Sequence, residues 1–411
     1  MRPSTALVLS VAISTALALA PGCGSDDAAP VATSGGAAGA AGHGGSVATD
    51  GGGAAGNAGN GAGGVAGKGG AATGGVAGQA GATGGAAGAA GQGGAVAGSG
   101  GAGGKCTLSD SGPVQVTHNG QVVENLRITS SSGAAIQIDG FSNVVIRNVE
   151  ILHDGGPGID FSNADDILID RVSVLHTGAP ATGQNPDDSR INIQCYASQR
   201  PVISNVRLTR GSSGVYLLQC PQSKLSFIEG HDFRGPFPRG QVVQWDKSDE
   251  GVLEDFSVVN PAGSWPEDNV NVYQSLNLQI RRGLVDGNNS PSGVGVIFDG
   301  DTSTGVVEDV DAIRMGNGCF SNYAGAEGNI FRRTRCRENI CTDQGRGLPS
   351  SNALMWAGKP GLTHLRIEQS QYFAACNPGN IVWPQDSFEV VETQEADFTL
   401  RSPIAVGFCW E

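Results

Sequence analysis

The sequence predicts an all-β solenoid in which short parallel strands stack as successive rungs around one long core. Two apolar strand patterns recur in the same order along residues 113–400, and their apolar residues alternate with polar ones. We expect strands rather than helices because the apolar runs are β-branched and too short for helix pairs. A single rung cannot bury its own apolar face, so stacking must bury it.

The longer strand supplies the clearest repeat. Residues 145–151 read VIRNVEI, and the pattern returns at residues 168–174 and 202–208. Surface loops tolerate insertions, so the variable spacing of roughly 22 to 34 residues indicates that the insertions share one corner of the rungs. Later copies centre on Leu225, Leu253, Ile280, Val307, Phe331 and Leu365.

A shorter strand is expected ten residues before each anchor of the longer one. Side chains at every second position share one face of a strand, so two of its columns face the core and the column between them faces outward. The first inward column reads Ile136, Ile159, Ile193, Val215, Val243, Val270, Ile297, Ser321 and Met355. The outward column, here called the strip, reads Gln137, Asp160, Gln194, Tyr216, Gln244, Asn271, Phe298, Asn322 and Trp356.

These columns resemble the repeats of right-handed parallel β-helix proteins with the pectate-lyase-like fold. The resemblance implies a single-stranded right-handed parallel β-helix of about ten rungs, and the right hand agrees with the usual sense of parallel crossovers. It implies no particular activity, because the fold carries lyases, hydrolases, epimerases and adhesins. Residues 230–232, Gly-His-Asp, differ from the Gly-His-Gly of polygalacturonases, and residues 185–188 are only loosely similar to the Asp-Pro-His element of alginate epimerases.

Composition divides the chain into a signal, a linker and one large domain. Residues 1–22 have the pattern of a lipoprotein-type signal peptide. Residues 23–104 consist mostly of Gly and Ala and offer almost no large apolar side chains, so we expect a disordered linker. Residues 105–411 carry nearly all of the Trp, Phe, Ile and Cys and are long enough to bury one core, which makes them the β-helix domain.

The N-terminus predicts export and lipid anchoring. Arg2 precedes an apolar run, residues 6–20, that is too short to span a bilayer. Residues 20–23, Ala-Pro-Gly-Cys, resemble a bacterial lipobox, which implies lipidation of Cys23. Ordinary signal cleavage that leaves Cys23 as a thiol is the alternative. The outer membrane or cell surface is the expected location, with the lipid as the membrane contact of a monomeric protein.

Net charge and cysteine count restrict the partners. The formal charge is −14, from 25 Lys and Arg against 39 Asp and Glu. An acidic surface argues against nucleic acid as a partner. Of nine Cys, lipidation of Cys23 would leave an even number, which in an exported chain predicts up to four disulfides whose pairing the spacing does not reveal.

The strip predicts a binding surface for an extended polysaccharide. Amides bind sugar hydroxyls, aromatic faces pack on sugar rings, and the rungs repeat about every 4.8 Å. The alternative is an ordinary solvated sheet face. The candidate substrate-binding residues are Asp160, Gln194, Tyr216, Gln244, Trp265, Asn271 and Tyr273.

Four loops are expected to leave one corner of the rungs and to overhang the strip. They carry carboxylates, bases and a tryptophan, Trp265, that we expect to be exposed. At the same corner His153, His176 and Arg210 form a column that could bind an anion, supply protons, or simply cap backbone carbonyls. The loops comprise residues 177–190, 233–241, 261–268 and 288–293.

Two kinds of chemistry fit these loops. A β-eliminating lyase needs a base, for which Arg239 or Lys247 is a candidate, and a cation that neutralises a uronate carboxylate. Calcium bound by Asp187 and Asp188 could be that cation, the one cofactor that the sequence indicates. A glycoside hydrolase needs two opposed carboxylates instead. The candidate catalytic residues are His176, Asp187, Asp188, Arg190, Arg239, Asp246, Lys247, Glu267 and Asp268.

Three functions remain open from the sequence. The first is a lyase or hydrolase that acts on a polysaccharide, the second a glycan-binding or adhesive module without turnover, and the third a structural spacer. An enzyme predicts charges clustered at one place on the strip, whereas an adhesive module predicts an evenly polar and aromatic strip.

Overall fold

A computed structural model describes residues 105–411 apart from short internal stretches. The signal peptide, Cys23 and the Gly/Ala-rich linker lie outside the described residues. Within the described part, no helix is long and apolar enough to cross a membrane. The undescribed residues are 1–104, 185–186, 235–238, 289, 292, 301, 324–326, 344–354, 358–363 and 386, and only the backbone is described at 355–357.

The described chain forms β-strands that alternate between long and short. In chain order they are β1 (Ser109–Ser111), β2 (Val114–Gln115), β3 (Val122–Ser130), β4 (Ile136–Asp139), β5 (Val145–His153), β6 (Ile159–Ser162), β7 (Leu168–His176), β8 (Ile193–Tyr196), β9 (Val202–Thr209), β10 (Val215–Leu218), β11 (Lys224–His231), β12 (Val243–Asp246), β13 (Val252–Val259), β14 (Val270–Tyr273), β15 (Leu278–Asn288), β16 (Val296–Asp299), β17 (Gly305–Met315), β18 (Phe320–Asn322), β19 (Ile330–Arg332), β20 (Arg335–Arg337), β21 (Met355–Ala357), β22 (Arg366–Glu368), β23 (Gln371–Phe373), β24 (Val382–Trp383), β25 (Glu389–Val391) and β26 (Gln394–Glu395).

The strands form two parallel sheets that run the length of one solenoid. The short strands stack in the order β2-β4-β6-β8-β10-β12-β14-β16-β18-β21-β24, and the long strands begin with β1-β3-β5-β7-β9. Equivalent residues pair from rung to rung, as Ile146 does with Ile169. The predicted all-β parallel β-helix of about ten turns is therefore confirmed.

Each long strand bends at a residue with positive φ, which gives the rung a third side. Asn125, Asn148, Arg171 and Asn205 lie at this bend in four successive rungs with φ of 56°, 53°, 52° and 52°, and Asn adopts this left-handed conformation more easily than most residues. The bend shifts the inward alternation by one residue, so that Ile146 and Val149 both face the core. Later bends lie at Phe227, Asp255, Arg282 and Asp309.

The core is a continuous stack of apolar columns. Ile136 and Ile159 of the short strands are fully buried opposite Ile146 and Ile169 of the long strands. Burying each such side chain contributes about 1.5–3 kcal/mol. The largest buried side chain is Trp245, whose indole Nε1 donates to Ser223 Oγ at 2.9 Å.

The register of the short strands differs from the prediction at β16. Val296, not Ile297, pairs with inward Val270, and Ile297 pairs with Asn271 of the strip. Phe298, which the sequence placed on the strip, is buried in the core. The connection from β16 to the next long strand is one residue longer than in earlier rungs, and this apolar run lacks the alternation that would reveal its phase.

Two further positions shift for the same reason. Phe320 is inward at β18, so Ser321 lies on the strip and Asn322 returns to the core side, opposite to the prediction. In the long sheet, Ile367 pairs with Phe331 and is the anchor that the sequence placed at Leu365. The final strip positions therefore read Asn271, Ile297, Ser321 and Trp356.

Four disulfides account for the eight cysteines of the domain, which confirms their predicted number. Cys195–Cys220 joins neighbouring rungs, and Cys319–Cys336 and Cys341–Cys376 lie towards the C-terminal end. Cys106–Cys409 joins the two ends of the domain across a sequence separation of 303 residues.

The C-terminal segment, residues 397–411, runs back along the outer side of the long strands. Its backbone N–H groups donate to Asp311, Ser257 and Glu229 on three different long strands at 2.7–2.9 Å. Asp311 and Glu229 are buried in the domain, so this side of the rungs is occupied by the chain itself. The short-strand side, which carries the strip, is not the side that this segment covers.

Candidate functional site

Burial along the strip rises from the first rung to the middle rungs and falls again at the end of the strip. Gln115 is exposed, and the next five positions are half-buried. The strip is then buried at Asn271, Ile297 and Ser321, which are 4%, 4% and 0% exposed, and it is exposed again at Trp383, which pairs with Trp356 at the end of the strip and is 44% exposed. The half-buried positions are Gln137, Asp160, Gln194, Tyr216 and Gln244.

The corner loops, which the sequence predicts to overhang the strip, pack on one another, and Trp265 is not exposed. It is 5% exposed, and a Cβ built on Gly183 of the neighbouring loop would lie 3.1 Å from its ring. Arg234 Nε donates to the carbonyl of Pro180 at 2.7 Å, which ties two loops together. The prediction that Trp265 is an exposed sugar-stacking residue is wrong, because it packs the loops into one cluster.

Tyr216, Asp246 and Arg239 meet at the centre of the strip. The Tyr216 hydroxyl donates to Asp246 Oδ2 at 3.2 Å, and the Arg239 guanidinium lies over the Tyr216 ring, 5.8 Å from its centroid. Burial, together with the adjacent Asp246 carboxylate, raises the pKa of Tyr216 to about 12. Tyr216 therefore stays protonated near neutral pH and acts as a hydrogen-bond donor.

A group of carboxyls lies beside this centre, under the loops. Asp268 accepts hydrogen bonds from Asn271 Nδ2 at 3.2 Å and from the Val294 N–H at 3.1 Å. Burial raises the pKa of Glu267 well above its usual range, and the neighbouring Asp268 and Asp299 raise it further. Burial also raises the pKa of Asp268. The group therefore retains a proton at pH values where isolated carboxyls are ionised.

Asp299 is the member of this group that the sequence did not indicate. The one-residue register error placed Asp299 in an inward column, whereas it pairs with Tyr273 in the column beside the strip. With Ile297 inward, Asp299 falls two residues later in the second inward column. A carboxylate at such a position indicates an error in the register, because carboxylates are rarely buried without partners. Shifting that rung by one residue would have aligned Asp299 with Asp246 and Tyr273.

Ser321 Oγ of the strip and the Arg239 Nε donor beside it are buried without a hydrogen-bond partner in the described structure, and so are three acceptor atoms on the central rungs. They are Gln244 Oε1, Asp246 Oδ1 and Asn271 Oδ1, and their strands are adjacent, with Gln244 paired to Asn271. An unpaired buried acceptor costs about 1–3 kcal/mol, so in native proteins such an atom calls for a donor from water, an ion or a ligand, or for a functional role. All three need donors, which the hydroxyls of a sugar would supply.

The two histidines of the column at this corner cap backbone carbonyls, which is one of the three roles that the sequence left open. His153 and His176 are buried and stacked, with ring centroids 5.3 Å apart. Their Nδ1 atoms donate to the carbonyls of Gly156 at 2.7 Å and Arg210 at 3.2 Å. Burial lowers the pKa of His153 to about 4 and lowers that of His176. Both rings are neutral near pH 7, and His176 caps a carbonyl away from the carboxyl group.

Of the remaining predicted catalytic residues, Asp187, Asp188 and Arg190 lie in the first loop of the cluster and Lys247 lies outside it. Asp187 accepts from the Ser189 hydroxyl at 2.7 Å and pairs with Arg190 at 3.2 Å. Asp188 Oδ1 lies 3.6 Å from Arg239 Nε. The described residues contain no group of three His, Cys, Asp or Glu side chains that could hold a metal, so the predicted calcium site gains no third ligand of this kind. Lys247 is exposed in the turn after β12.

The other predicted substrate-binding residues lie along the strip or beside it. Asp160 and Gln194 are half-buried neighbours on adjacent strands. Burial raises the pKa of Asp160. Tyr273 is half-buried in the column beside the strip, between Asp246 and Asp299.

The observed fold agrees with a comparison to known families. Residues 113–229 match the model of the right-handed β-helix region, so the class of the protein is a parallel β-helix of the right-handed type. No curated protein matches the chain.

Several solved structures are similar to the chain at low identity. The tailspike of Pseudomonas phage phi297 is 12% identical over 66% of this chain and 43% of its own, with a TM-score of 0.44. The alginate lyase of Paenibacillus sp. FPU-7 is 8% identical over 66% of this chain and 92% of its own, with a TM-score of 0.41. The mannuronan C-5 epimerase A-module of Azotobacter vinelandii is 8% identical over 71% and 87%, with a TM-score of 0.30.

Proposed function

We propose that this chain is an exported, lipid-anchored protein that binds a polysaccharide along the strip and hydrolyses it at the carboxyl group of Glu267, Asp268 and Asp299. The observation that carries the proposal is the set of unpaired buried acceptors on Gln244, Asp246 and Asn271. The apolar N-terminal run and the lipobox-like sequence before Cys23 support export and anchoring.

The polarity of the strip favours a hydroxyl-rich glycan. Unpaired acceptors bind donors, and sugar hydroxyls donate, whereas a uronate carboxylate would only add another acceptor. The carboxyls of Asp246, Glu267, Asp268 and Asp299 outnumber the Arg239 guanidinium that lies near them, which also disfavours a densely anionic chain. A neutral polysaccharide is therefore the preferred substrate class.

The carboxyls on either side of the strip suit acid-catalysed hydrolysis. Asp246 lies at the end of strip strand β12, and Glu267 lies in the loop that precedes β14, next to Asp268, whose carboxylate contacts Asn271 of the strip. A glycosidase uses one protonated carboxyl as the acid and an ionised one on the opposite side as nucleophile or base. Glu267, whose pKa is raised by burial, suits the acid, and Asp246, whose Oδ2 accepts a hydrogen bond from Tyr216, is the carboxyl placed for the second role.

Lyase chemistry has less support at this site. The base must accept a proton from carbon near neutral pH, but burial and Asp246 raise the pKa of Tyr216 to about 12. Arg239 is held over the Tyr216 ring and near Asp188, and guanidinium groups keep their protons in proteins. The exposed Lys247 lies outside the loop cluster.

The test uses the full chain and a panel of neutral polysaccharides, with release of reducing ends and retention in affinity gels as readouts. Tyr216→Ala combined with Asn271→Ala should abolish retention, because it removes a donor and an unpaired acceptor of the strip. The matched pair Arg147→Ala and Arg171→Ala, on exposed ion-paired residues of the long strands, should leave retention unchanged.

Catalysis is separated from binding by single isosteric changes. Glu267→Gln and Asp246→Asn should lower release of reducing ends by at least about a hundredfold while retention persists. Glu250→Gln, in an exposed turn, is the control. If the unmodified chain is retained by a polysaccharide but releases no reducing ends, hydrolysis is rejected in favour of a binding module. If retention is lost only when Arg147 and Arg171 are replaced, the glycan binds the long strands and not the strip.

A further inference from the structure

We propose that the strip receives the end of a glycan chain rather than an internal stretch. The proposal rests on the binding part of the function proposed above. It comes from a buried stretch that interrupts the strip. The strip is exposed at Gln115, half-buried from Gln137 to Gln244, buried at Asn271, Ile297 and Ser321, and exposed again at Trp383, four rungs beyond Asn271. A groove that binds the middle of a chain needs open strip on both sides of the centre.

The strip is closed on the C-terminal side by the loop that carries the carboxyls. Asp268 is 3% exposed and its carboxylate lies directly on Asn271, with 3.2 Å between Oδ2 and Nδ2. The next loop backs this contact, because Asn288 Nδ2 donates to the Glu267 carbonyl at 3.3 Å. A Cβ built on Gly293 would lie only 1.7 Å from the same Glu267 carbonyl oxygen, so this backbone approach is as close as glycine permits.

The strip is open on the N-terminal side. Five rung spacings separate Gln137 from Asn271, a length of about 24 Å at the usual strand separation. Beside this open part, Tyr196 is 44% exposed and offers an aromatic face next to Gln194. The open part can hold a short oligosaccharide whose further units continue past Gln115 into solvent.

The carboxyls of Glu267, Asp268 and Asp299 lie at the closed end of the strip, so the terminus of the glycan chain meets the reacting carboxyls. In the hydrolytic step the glycosidic C–O bond near that terminus breaks. Glu267 gives its proton to the leaving oxygen, and water supplies hydroxide to the sugar carbon and returns a proton to the carboxyl. The product is a short sugar from the chain end, and the shortened polymer keeps its place on the open rungs.

The first experiment compares competition by chain ends with competition by mass. Size fractions of the neutral polysaccharide that the full chain retains best compete for binding at equal mass. We expect the inhibitory mass concentration to be proportional to chain length. It should therefore be lowest for the shortest fractions, because they carry the most ends per gram. Inhibition that depends only on mass would overturn the chain-end proposal, whereas absence of retention of any polysaccharide would overturn both the function and this inference.

The second experiment follows products and needs turnover. Reducing ends should accumulate while the weight-average mass of the remaining polymer changes little, with a short sugar present from the start. An early collapse of polymer mass would overturn chain-end action but leave hydrolysis standing. End-proportional competition without any release would overturn hydrolysis and leave chain-end binding standing.

A variant on the open side locates the rest of the chain. Tyr196→Ala should weaken binding of long fractions about three- to tenfold, the value of one aromatic contact, without affecting the shortest fractions. Leu276→Ala changes a side chain of similar exposure in a turn away from the strip and should change neither. Equal weakening by both variants, or none by Tyr196→Ala, would contradict the proposed direction of the bound chain.

Discussion

Glu267→Gln should stabilise the folded domain at alkaline pH while it removes activity. Burial and the neighbouring Asp268 and Asp299 raise the pKa of Glu267 in the folded state, whereas the unfolded chain exposes an ordinary glutamate. The folded state therefore holds a proton that the unfolded state releases, so its relative stability is full below the unfolded pKa and declines as pH rises towards the folded pKa. Glutamine fills the same volume without this dependence.

The size of the effect follows from the shift. Each unit of pKa elevation corresponds to about 1.4 kcal/mol of free energy between the folded and unfolded states. For a buried carboxyl with two neighbouring carboxyls, the expected gain in the free energy of unfolding is on the order of a few kcal/mol near pH 8. The pair formed with Asp268 titrates jointly, so Asp268 will take over part of the proton binding in the variant.

Thermal unfolding of the full chain between pH 4 and 8.5 measures this prediction. The difference between variant and unmodified protein should be small at pH 4 and should grow in favour of the variant as pH rises. Glu250→Gln, an exposed turn residue, should show no such growth. A Glu267→Gln protein that is less stable than the unmodified chain at pH 8 would refute the reasoning about the carboxyl group.

Three further predictions concern the ends and the core of the chain. Replacing Cys106 and Cys409 by Ser should lower the free energy of unfolding by about 2–5 kcal/mol, because it opens the longest covalent loop; glycan retention should persist, and its loss would place the site under the C-terminal segment. Labelled palmitate should be incorporated by the unmodified chain but not by Cys23→Ser, and equal labelling would reject the lipobox. Amide exchange should be slow at Ile146 and Ile280 and fast throughout the Gly/Ala-rich linker, and protection of the linker equal to that of the core would contradict the predicted disorder.

The repeat could be predicted from sequence because the residues within each rung are enough to identify which side chains face inward. Ile136 and Ile159, or Ile146 and Ile169, recur at matching positions, and alternation of apolar with polar residues sets which face is buried. Parallel stacking in register then follows from the need to bury every copy of the same column. The central strip, including Tyr216 and Gln244, could be read in the same way.

Where alternation fails, only the tertiary structure decides. The apolar run around Ile297 has no polar phase marker, so its register depends on pairing with Val270 and Asn271 in the previous rung. That pairing alone brings Asp299 beside the strip. Because the sequence placed Asp299 on the core side of β16, the carboxyls predicted for the site lacked this residue.

The loops and the chain ends depend on contacts between distant segments. Trp265 is buried because a neighbouring loop, far away in sequence, contributes Gly183 against its ring. The pairing of Cys106 with Cys409 depends on the path of the C-terminal segment across the long strands. The sequence by itself determined the rungs, since local alternation specifies them. The tertiary structure decided which loops close the strip and which end stays open, because those contacts join residues that no local pattern relates.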